Sequence, residues 1–591
     1  MRKLLFLIAT AALAQPAGDP LFRAMQDEMA RSLKKLQLEN LEKPYFLSYR
    51  IVDTDSLSAS STFGALTDKS ETRGRLLTVE VRVGSYERDN TNFFSMRLGP
   101  AGVVRQYVEG GVTTPLDNNY DEIRRQLWIA TDSAYKQALD DWAKKKGVLA
   151  NRNRTDDAPD FSKEQPLQDS EVFPAVKVDL KTAADLVNTL SALFRSMPAI
   201  DNSSVALSAS TATTRYVNSE GTSFHRVKPM VKLVIAGDTQ ASDGMPLTDS
   251  ESVFANAFGA LPGKDALIAL TKKFGQRMTA LKTAPTVDRY TGPVVFEKAA
   301  AAELVGQTLA DALAAQPRLV VDNPQFERMF DSEAGGMRDR LGTRIFPASV
   351  TLVDDATRRD FNGQPLFGSY QVDEEGVRAR TNTLVERGML KSLLNSRALV
   401  AGATQSTGNR RTQGTLPGNL ILTASKTISN DEMKAKLIEM IKENGQPFGI
   451  IVRKMANPTD PKPQSRSRVV VMTFSTHGGS SGPGSKTEPL VEAYKVYPDG
   501  REELIRNIGL LNFSVASFKD IVAFANDASV YSGTYQNNRR APILAGPINA
   551  GTATISLVVP SMLFSELTLQ KPVGEVPKLP FAPHPVFSAE R

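Results

Sequence analysis

A chain of 591 residues without a single cysteine has no covalent crosslink to hold it, so its stability rests on buried apolar surface. That length exceeds one ordinary core and calls for about two to four folded units. Hydrophobic residues at 41% and charged residues at 23% are globular proportions, so such cores can be built. The missing cysteines also remove thiol chemistry and thiolate metal ligands. Three histidines remain, His225, His477 and His584, scattered too widely for a zinc site that ordinarily uses two or more beside carboxylates or thiolates.

The first residues, MRKLLFLIATAALAQPAGDP, begin with Arg2 and Lys3, continue in an apolar run from Leu4 to Leu13, and place small residues at Ala12 and Ala14. This is the pattern of a secretory leader, with cleavage expected after Ala14, and the run is short of the roughly 20 residues that span a bilayer. The mature chain is therefore expected outside the cytoplasm, periplasmic or extracellular, with no membrane span. The net charge of +6 is small for the length. The longest basic run, Lys144 to Lys146, follows an acid-bearing helix and reads as a solvated helix end; no nucleic-acid partner is expected.

The stretch LFRAMQDEMARSLKKLQL places Phe22, Met25, Met29, Leu33 and Leu36 at helical spacings. The next forty residues, Tyr45 to Gly84, alternate as antiparallel strands. Helices are expected over Asp121 to Lys146, which carries Trp128 and Trp142, and over Lys181 to Met197, with a loop over Asn151 to Ser170 between them. Thr213 to Gly237 reads as a hairpin turning at Asn218 to Gly221, with His225 as a partly buried structural residue on its second strand. Ala255 to Leu281 is helical with a break at Leu261 to Gly263. From Tyr290 the pattern turns β-rich, with strands expected at Pro293 to Phe296, Ser349 to Asp354, Leu384 to Glu386, Gly449 to Lys454, Arg468 to Ser475, Glu492 to Val496 and Glu502 to Arg506. The Lys571 to Arg591 tail is proline-rich and has no core of its own.

Chemistry-bearing patterns are few. Gly478, Ser480 and Gly482 formally spell a nucleophile elbow after a strand, but Pro483 to Ser485 continue a loop where that elbow needs a helix, so a lid or binding loop is expected. Asp354 and Asp355, with Asp373, Glu374 and Glu375, supply carboxylates at strand ends and turns, where acids are ordinarily solvated or capping. A strand-to-helix junction, GPVVFEKAAAAELVGQTLADA from Gly292 to Ala312, aims one carboxylate, Glu303, from an alanine-rich helix with no histidine near it.

The run from Thr351 to Arg411 resembles the central signature of the TldD/PmbA family, through Asp373-Glu374-Glu375-Gly376-Val377, Leu384 to Leu390, and Thr407 to Arg411. Val217 to Phe224 resembles the family's N-terminal domain and Pro560 to Pro572 its C-terminal end. The resemblance implies an α+β protein of two domains, over about 15–285 and 286–570, between the 1–14 leader and the 571–591 tail. Active members of that family carry HEAVGH on the helix after this strand, with two histidines on a metal and the glutamate as general acid or base. Here the same positions read Ala302-Glu303-Leu304-Val305-Gly306-Gln307, so Ala302 and Gln307 stand where ligands are expected and Glu303 is vestigial.

The resemblance therefore implies a non-metal-binding, TldE-like subunit with no zinc, assembling with itself or with a TldD-like peptidase and helping to hold a peptide or unfolded segment. Asp373, Glu374, Gly376 and Asn409 are the positions it assigns to the peptide groove, where an extended peptide adds along a sheet edge. A metallopeptidase with an unrecognised metal site is the alternative. A nucleic-acid or gyrase modulator, suggested by the family's older naming, is disfavoured by the leader.

Overall fold

The computed structural model describes residues 18–38, 41–99, 102–105, 112–151, 158–315, 317, 319–323, 337–400, 402–412, 414–459, 487–506, 508–536, 552–571 and 586–587. The leader, the 468–475 strand, the 477–486 glycine-serine run, His477, His584 and nearly all of the tail lie outside them.

The first half comprises α1 (Pro20–Lys35), β1 (Pro44–Thr62), β2 (Ala65–Val83), α2 (Tyr120–Ala150), α3 (Leu180–Ser191), β3 (Asn202–Asn218), β4 (Ser223–Gln240), β5 (Pro246–Ala255) and α4 (Lys264–Thr283). Its strands form one antiparallel sheet in the order β5-β4-β3-β1-β2, and a short segment, Gln168–Val172, runs parallel to β4, overlapping the end of the stretch read as loop. Asp19 caps α1, its carboxylate accepting from the Leu21 amide at 2.9 Å, with Pro20 in the first turn where its missing N–H costs nothing. Period-two alternation does the rest: Leu47, Tyr49 and Ile51 of β1 bury under α1 and α2, while Leu57 and Ala59 bury under α3 and α4. The β3–β4 hairpin turns at Asn218 to Gly221 as its sequence predicts, because Gly221 sits at φ +97° and the Asn218 side chain accepts the Glu220 and Thr222 amides. His225 is half-buried with its ring edge-on to Phe22, and burial lowers its pKa.

The basic run at the end of α2 corrects its sequence reading. Lys144 and Lys146 do pair at the surface, with Asp140 and Glu42, but Lys145 is wholly buried and donates to Asp160 Oδ2 at 2.7 Å and to the Thr91 carbonyl at 2.6 Å. Three consecutive helical residues point about 100° apart, so one of them faces inward whatever its charge.

The second half comprises β6 (Arg289–Phe296), α5 (Lys298–Leu309), β7 (Val350–Asp355), β8 (Thr381–Glu386), β9 (Asn419–Ala424), α6 (Asn430–Glu443), β10 (Gly449–Met455), β11 (Leu490–Val496), β12 (Glu502–Ile505), β13 (Ser529–Gln536), β14 (Thr552–Val559) and β15 (Met562–Gln570). They make two mixed sheets, β12-β11-β10-β6-β15 and β8-β7-β9-β14-β13. In the first, β6 runs parallel to β10 and antiparallel to β15. Val294, Phe296, Ile450 and Val452 face α5 and the main core, while Val295 and Ile451 face α6. A sheet covered on both faces needs an unbroken apolar run, which is why PVVF was legible as a strand. α6, begun by a Ser429/Glu432 capping box, was not foreseen, nor were β9, β13 and β14.

The halves meet where β5 and α4 approach β10, β11 and β12, and again on the face of the long sheet opposite its helices. Arg397 of the second half is buried there, donating to both carboxylate oxygens of Glu220 at 2.7 Å and to the Ser162 carbonyl, with its guanidinium 3.8 Å from the Phe161 ring centroid.

Candidate functional site

The β6–α5 junction is a tight one. Lys298, the first residue of α5, takes φ +36°, a left-handed conformation that costs a non-glycine residue about 1–3 kcal/mol. Its amide donates to Ser561 Oγ at 2.9 Å, and Asp527 holds that serine through both its hydroxyl and its amide. The helix that follows is buried on every side: Ala300 through Gly306 are all covered, by β10 on one flank and by β13 and β14 on another. A helix apolar all round belongs in a core, and its one charged interior residue then needs partners.

Glu303 has them. Its Oε1 accepts from Gln307 Nε2 at 2.8 Å and Asn457 Nδ2 at 3.1 Å, and its Oε2 accepts from the Tyr535 hydroxyl at 3.1 Å, with Tyr531 adding a further hydrogen bond. Burial raises the carboxyl's pKa against the pull of these four donors, none of which carries a charge. An arginine partner or a capping role, either of which would also account for a buried glutamate, is not what the fold provides. The cage is shaped by two glycines: a methyl group at Gly306 would lie 2.3 Å from the Tyr535 hydroxyl, and one at Gly533 would lie 2.8 Å from the Tyr535 ring and 3.0 Å from Asn457 Nδ2.

These residues do not fit a metal. Ala302 offers only a methyl and is buried in the main core. Both heteroatoms of the Gln307 amide are committed, Nε2 to Glu303 and to the Ala456 carbonyl at 2.7 Å, and Oε1 to the Glu488 amide at 2.8 Å. A cation at Glu303 would have to displace donors that already satisfy it. Among the described residues, no group of three or more histidine, cysteine, aspartate or glutamate side chains is gathered for a metal.

The residues assigned to a peptide groove form a separate cluster at the seam between the halves. Asp373 is buried; its Oδ1 accepts the Glu375 and Val377 amides at 2.9 Å and its Oδ2 the Arg410 amide at 3.0 Å. Burial, with the Glu375 carboxylate beside it, raises its pKa. Glu374 reaches across to Arg50 and, at 3.9 Å, to Arg226; burial opposes its charge, but these cations outweigh it and its pKa is lowered. Gly376 takes φ +80° because the turn docks on the hairpin, where a side chain would come within 2.8 Å of Thr222. Asn409 is buried behind it, donating to Asp354 Oδ2 at 2.6 Å and accepting from Asn382 at 3.2 Å. Asp354, read as solvated or capping, is in fact buried, and burial pushes its pKa up to about 7 despite Asn409 and the Gly418 amide.

Sequence reasoning missed Asn457, Tyr531 and Tyr535. The signals were there: residues 531, 533 and 535 of one strand share a face and read Tyr, Gly, Tyr, while Asn457 opens an Asn-Pro-Thr turn, its side chain accepting the Thr459 amide at 2.9 Å.

Residues 289–484 match the PmbA/TldA metallopeptidase C-terminal domain. Over those residues the chain carries the C-terminal domain of the TldD/PmbA family. A metalloprotease of Archaeoglobus fulgidus is 40% identical over 78 residues, 13% of this chain and 17% of that relative. A metalloprotease of Synechocystis is 23% identical over 336 residues, 55% of this chain and 64% of the relative. The matched part thus spans between about a sixth and just under two thirds of these relatives' lengths. Two solved structures share the TldD/PmbA fold almost end to end. TldE from Thermococcus kodakarensis superposes with a TM-score of 0.53 at 14% identity, covering 92% of this chain and 99% of that one. A Thermotoga maritima protein described as a modulator of a DNA gyrase gives 0.56 at 14% identity, covering 93% and 100%. The α+β class is that of these structures.

Proposed function

We propose that this family member is an exported, non-metal-binding subunit of the TldE type, which assembles with itself or with a TldD-like peptidase and helps to hold a peptide or an unfolded segment during proteolytic processing. One observation carries the reading: the carboxylate of Glu303 is enclosed by four uncharged donors, while Ala302 offers no lone pair and both heteroatoms of the Gln307 amide are already hydrogen-bonded within the protein. Without a metal, water keeps a pKa near 16, and a carboxylate, ordinarily at about 4.3 and here raised by burial, is still too weak a base to make hydroxide from it. Such a helix contributes shape to an assembly and no hydrolysis of its own. The groove role of the segment around Asp373 to Gly376 and Asn409 belongs to the same proposal, with the turn supplying backbone groups while its side chains tie the halves together. Export rests on the Arg2–Ala14 leader pattern, and no helix among the described residues is long and apolar enough to cross a membrane.

Elemental analysis of the purified chain tests the reading. Zinc well below one equivalent is expected, and a full chelator-sensitive equivalent would overturn it. Co-expression with a homologue whose HEAVGH motif is intact should yield a joint complex, or the chain alone a self-assembly; a strictly monomeric chain that ignores such a homologue would remove the subunit role. N-terminal sequencing should begin at Gln15, and finding Met1 on a cytoplasmic protein would remove the export claim.

A further inference from the structure

β2 forms one outer edge of the long sheet. Val112 and Thr113 cover it only at Leu77 and Leu76, and the Thr114 amide donates to the Arg75 carbonyl at 3.2 Å. Beyond that point, toward the β1–β2 turn, no described strand pairs with the outer side of Ala65 to Gly74, and every residue of the stretch is exposed except the half-buried Ser70. The inner side is closed by β1, in unbroken register from Asp68 to Arg82.

The Arg75 carbonyl fixes which groups stand unpaired. The backbone N–H and C=O of one strand residue point to the same side, and the side alternates along the strand. Arg75 points outward, so Arg73, Glu71 and Lys69 do too, each presenting a donor and an acceptor along a bare edge. Such an edge is a template for another strand.

Charge selects the strand that fits. Residues 68–74 read Asp-Lys-Ser-Glu-Thr-Arg-Gly. An antiparallel second copy, related by a twofold axis beside Ser70, sets Lys69 against Glu71 twice and Asp68 against Thr72 twice. Lys69 and Glu71 are the outward residues, so each of their pairs also exchanges two backbone hydrogen bonds. Neighbouring registers fail. Centred at residue 68, 69 or 71, the edge opposes like charges, Asp to Asp, Lys to Lys or Glu to Glu. Centred at 72, it lays Lys69 against Arg75, whose carbonyl is already taken. The chain's own tail, interrupted by Pro572, Pro577, Pro580, Pro583 and Pro585, lacks the run of amides that a partner strand needs.

We infer that two copies of this chain join edge to edge through Asp68 to Thr72 of β2, merging their long sheets into one. The contact is smaller than a standard stable interface, so the association is weak and concentration-dependent. The inference gives a surface to the self-assembly arm of the subunit role and rests on that arm.

The chain has no cysteine, so Ser70→Cys introduces a single thiol. That thiol faces its own symmetry mate across a non-hydrogen-bonded pair, where Cα atoms stand about 4.5 Å apart, within disulfide reach. Mild oxidation of the full chain should give a disulfide-linked dimer from Ser70→Cys and none from Thr72→Cys, whose mate lies farther along the strand. Sedimentation of the parent up to about 100 μM, the range of weak complexes, should show self-association that fades with salt. Lys69 and Glu71 are exposed and have no hydrogen bond or ion pair among the described residues, so replacing them leaves the fold undisturbed. Lys69→Glu and Glu71→Lys should each weaken the dimer by about fivefold to thirtyfold, because one substitution makes both cross-strand pairs repulsive, and the double swap should restore it. A strictly monomeric parent, no Ser70→Cys crosslink, equal crosslinking at both sites, or charge variants that associate as the parent does would each overturn the inference. A crosslink seen only after removal of the residues beyond Lys571 would overturn it by giving the edge to the tail. The subunit role is judged apart, since an edge variant that still joins the HEAVGH-bearing homologue leaves that role standing.

Discussion

The Tyr535 hydroxyl fills the space that a side chain at residue 306 would occupy, 2.3 Å from where the first carbon of that side chain would stand. Glycine at 306 is therefore what lets a phenol reach the carboxylate at 303. Gly306→Ala should push the ring off Glu303 and destabilise the fold by about 1–3 kcal/mol, the usual scale of overpacking. Chemical denaturation with an unchanged m-value would read this; a neutral Gly306→Ala would mean that the phenol moves aside freely and the cage is looser than described.

Glu303→Gln keeps the shape of the side chain but replaces an acceptor with a donor, facing the Gln307 and Asn457 amide groups that already donate there. A buried donor left facing donors costs about 1–3 kcal/mol, and stability should fall by that amount. Any peptidase activity of the purified chain or its complex should not change. A loss of about a hundredfold or more in a folded, assembled Glu303→Gln protein, the scale of a missing general acid or base, would show a live site.

Two buried titrating groups give opposite slopes with pH. Asp354 is raised from its ordinary 3.8 to about 7 by burial, so the folded chain holds a proton that the unfolded chain releases. Its contribution is full below about 4 and is lost as pH climbs to about 7. Lys228, which donates to the Phe367 and Ser369 carbonyls, is pulled from 10.5 down to about 7 by burial, with Arg411 and Arg226 nearby adding to the effect. The unfolded chain then binds the extra proton, and stability rises from about pH 7 to pH 10. Unfolding free energies measured across pH should lose the acid slope in Asp354→Asn and the alkaline slope in Lys228→Met, relative to the parent. Parallel profiles in all three proteins would refute both assignments.

Arg397→Met tests the seam between the halves. The substitution leaves Glu220 without its bidentate partner, and breaking one side of a buried pair costs about 3–5 kcal/mol. Arg397→Lys should recover only part of this, because an ammonium cannot match the carboxylate fork and stack on Phe161 at once. Separation of one unfolding transition into two by calorimetry would show that this residue couples the halves; full stability in Arg397→Met would show that it does not.

The sequence was most readable where local period and burial agree. The hairpin at Asn218 to Gly221, the α1 face around Phe22 and Met25, and the PVVF strand each carry their own signal. It was least readable where partners come from far along the chain: Glu303 is satisfied by Asn457 and Tyr535, 154 and 232 residues away, and no spacing rule joins them. That Ala302 and Gln307 are not histidines was plain from the sequence, but the use Gln307 makes of its amide, bridging Glu303 to Ala456 and Glu488, was not. Asp354 and Lys145 misled for one shared reason: charge in a short segment argues for solvent, and only the tertiary fold of each half, through Asn409 and Gly418 for one and Asp160 and Thr91 for the other, supplies the partners that let it be buried.

The run of four alanines from Ala299 to Ala302 sits where two sheets close on a single helix. Methyl groups there act as a gauge, setting how near the sheets come. From Ala300 onward, water reaches the backbone of α5 only when those sheets part, so its amide protons should exchange no faster than the sandwich opens.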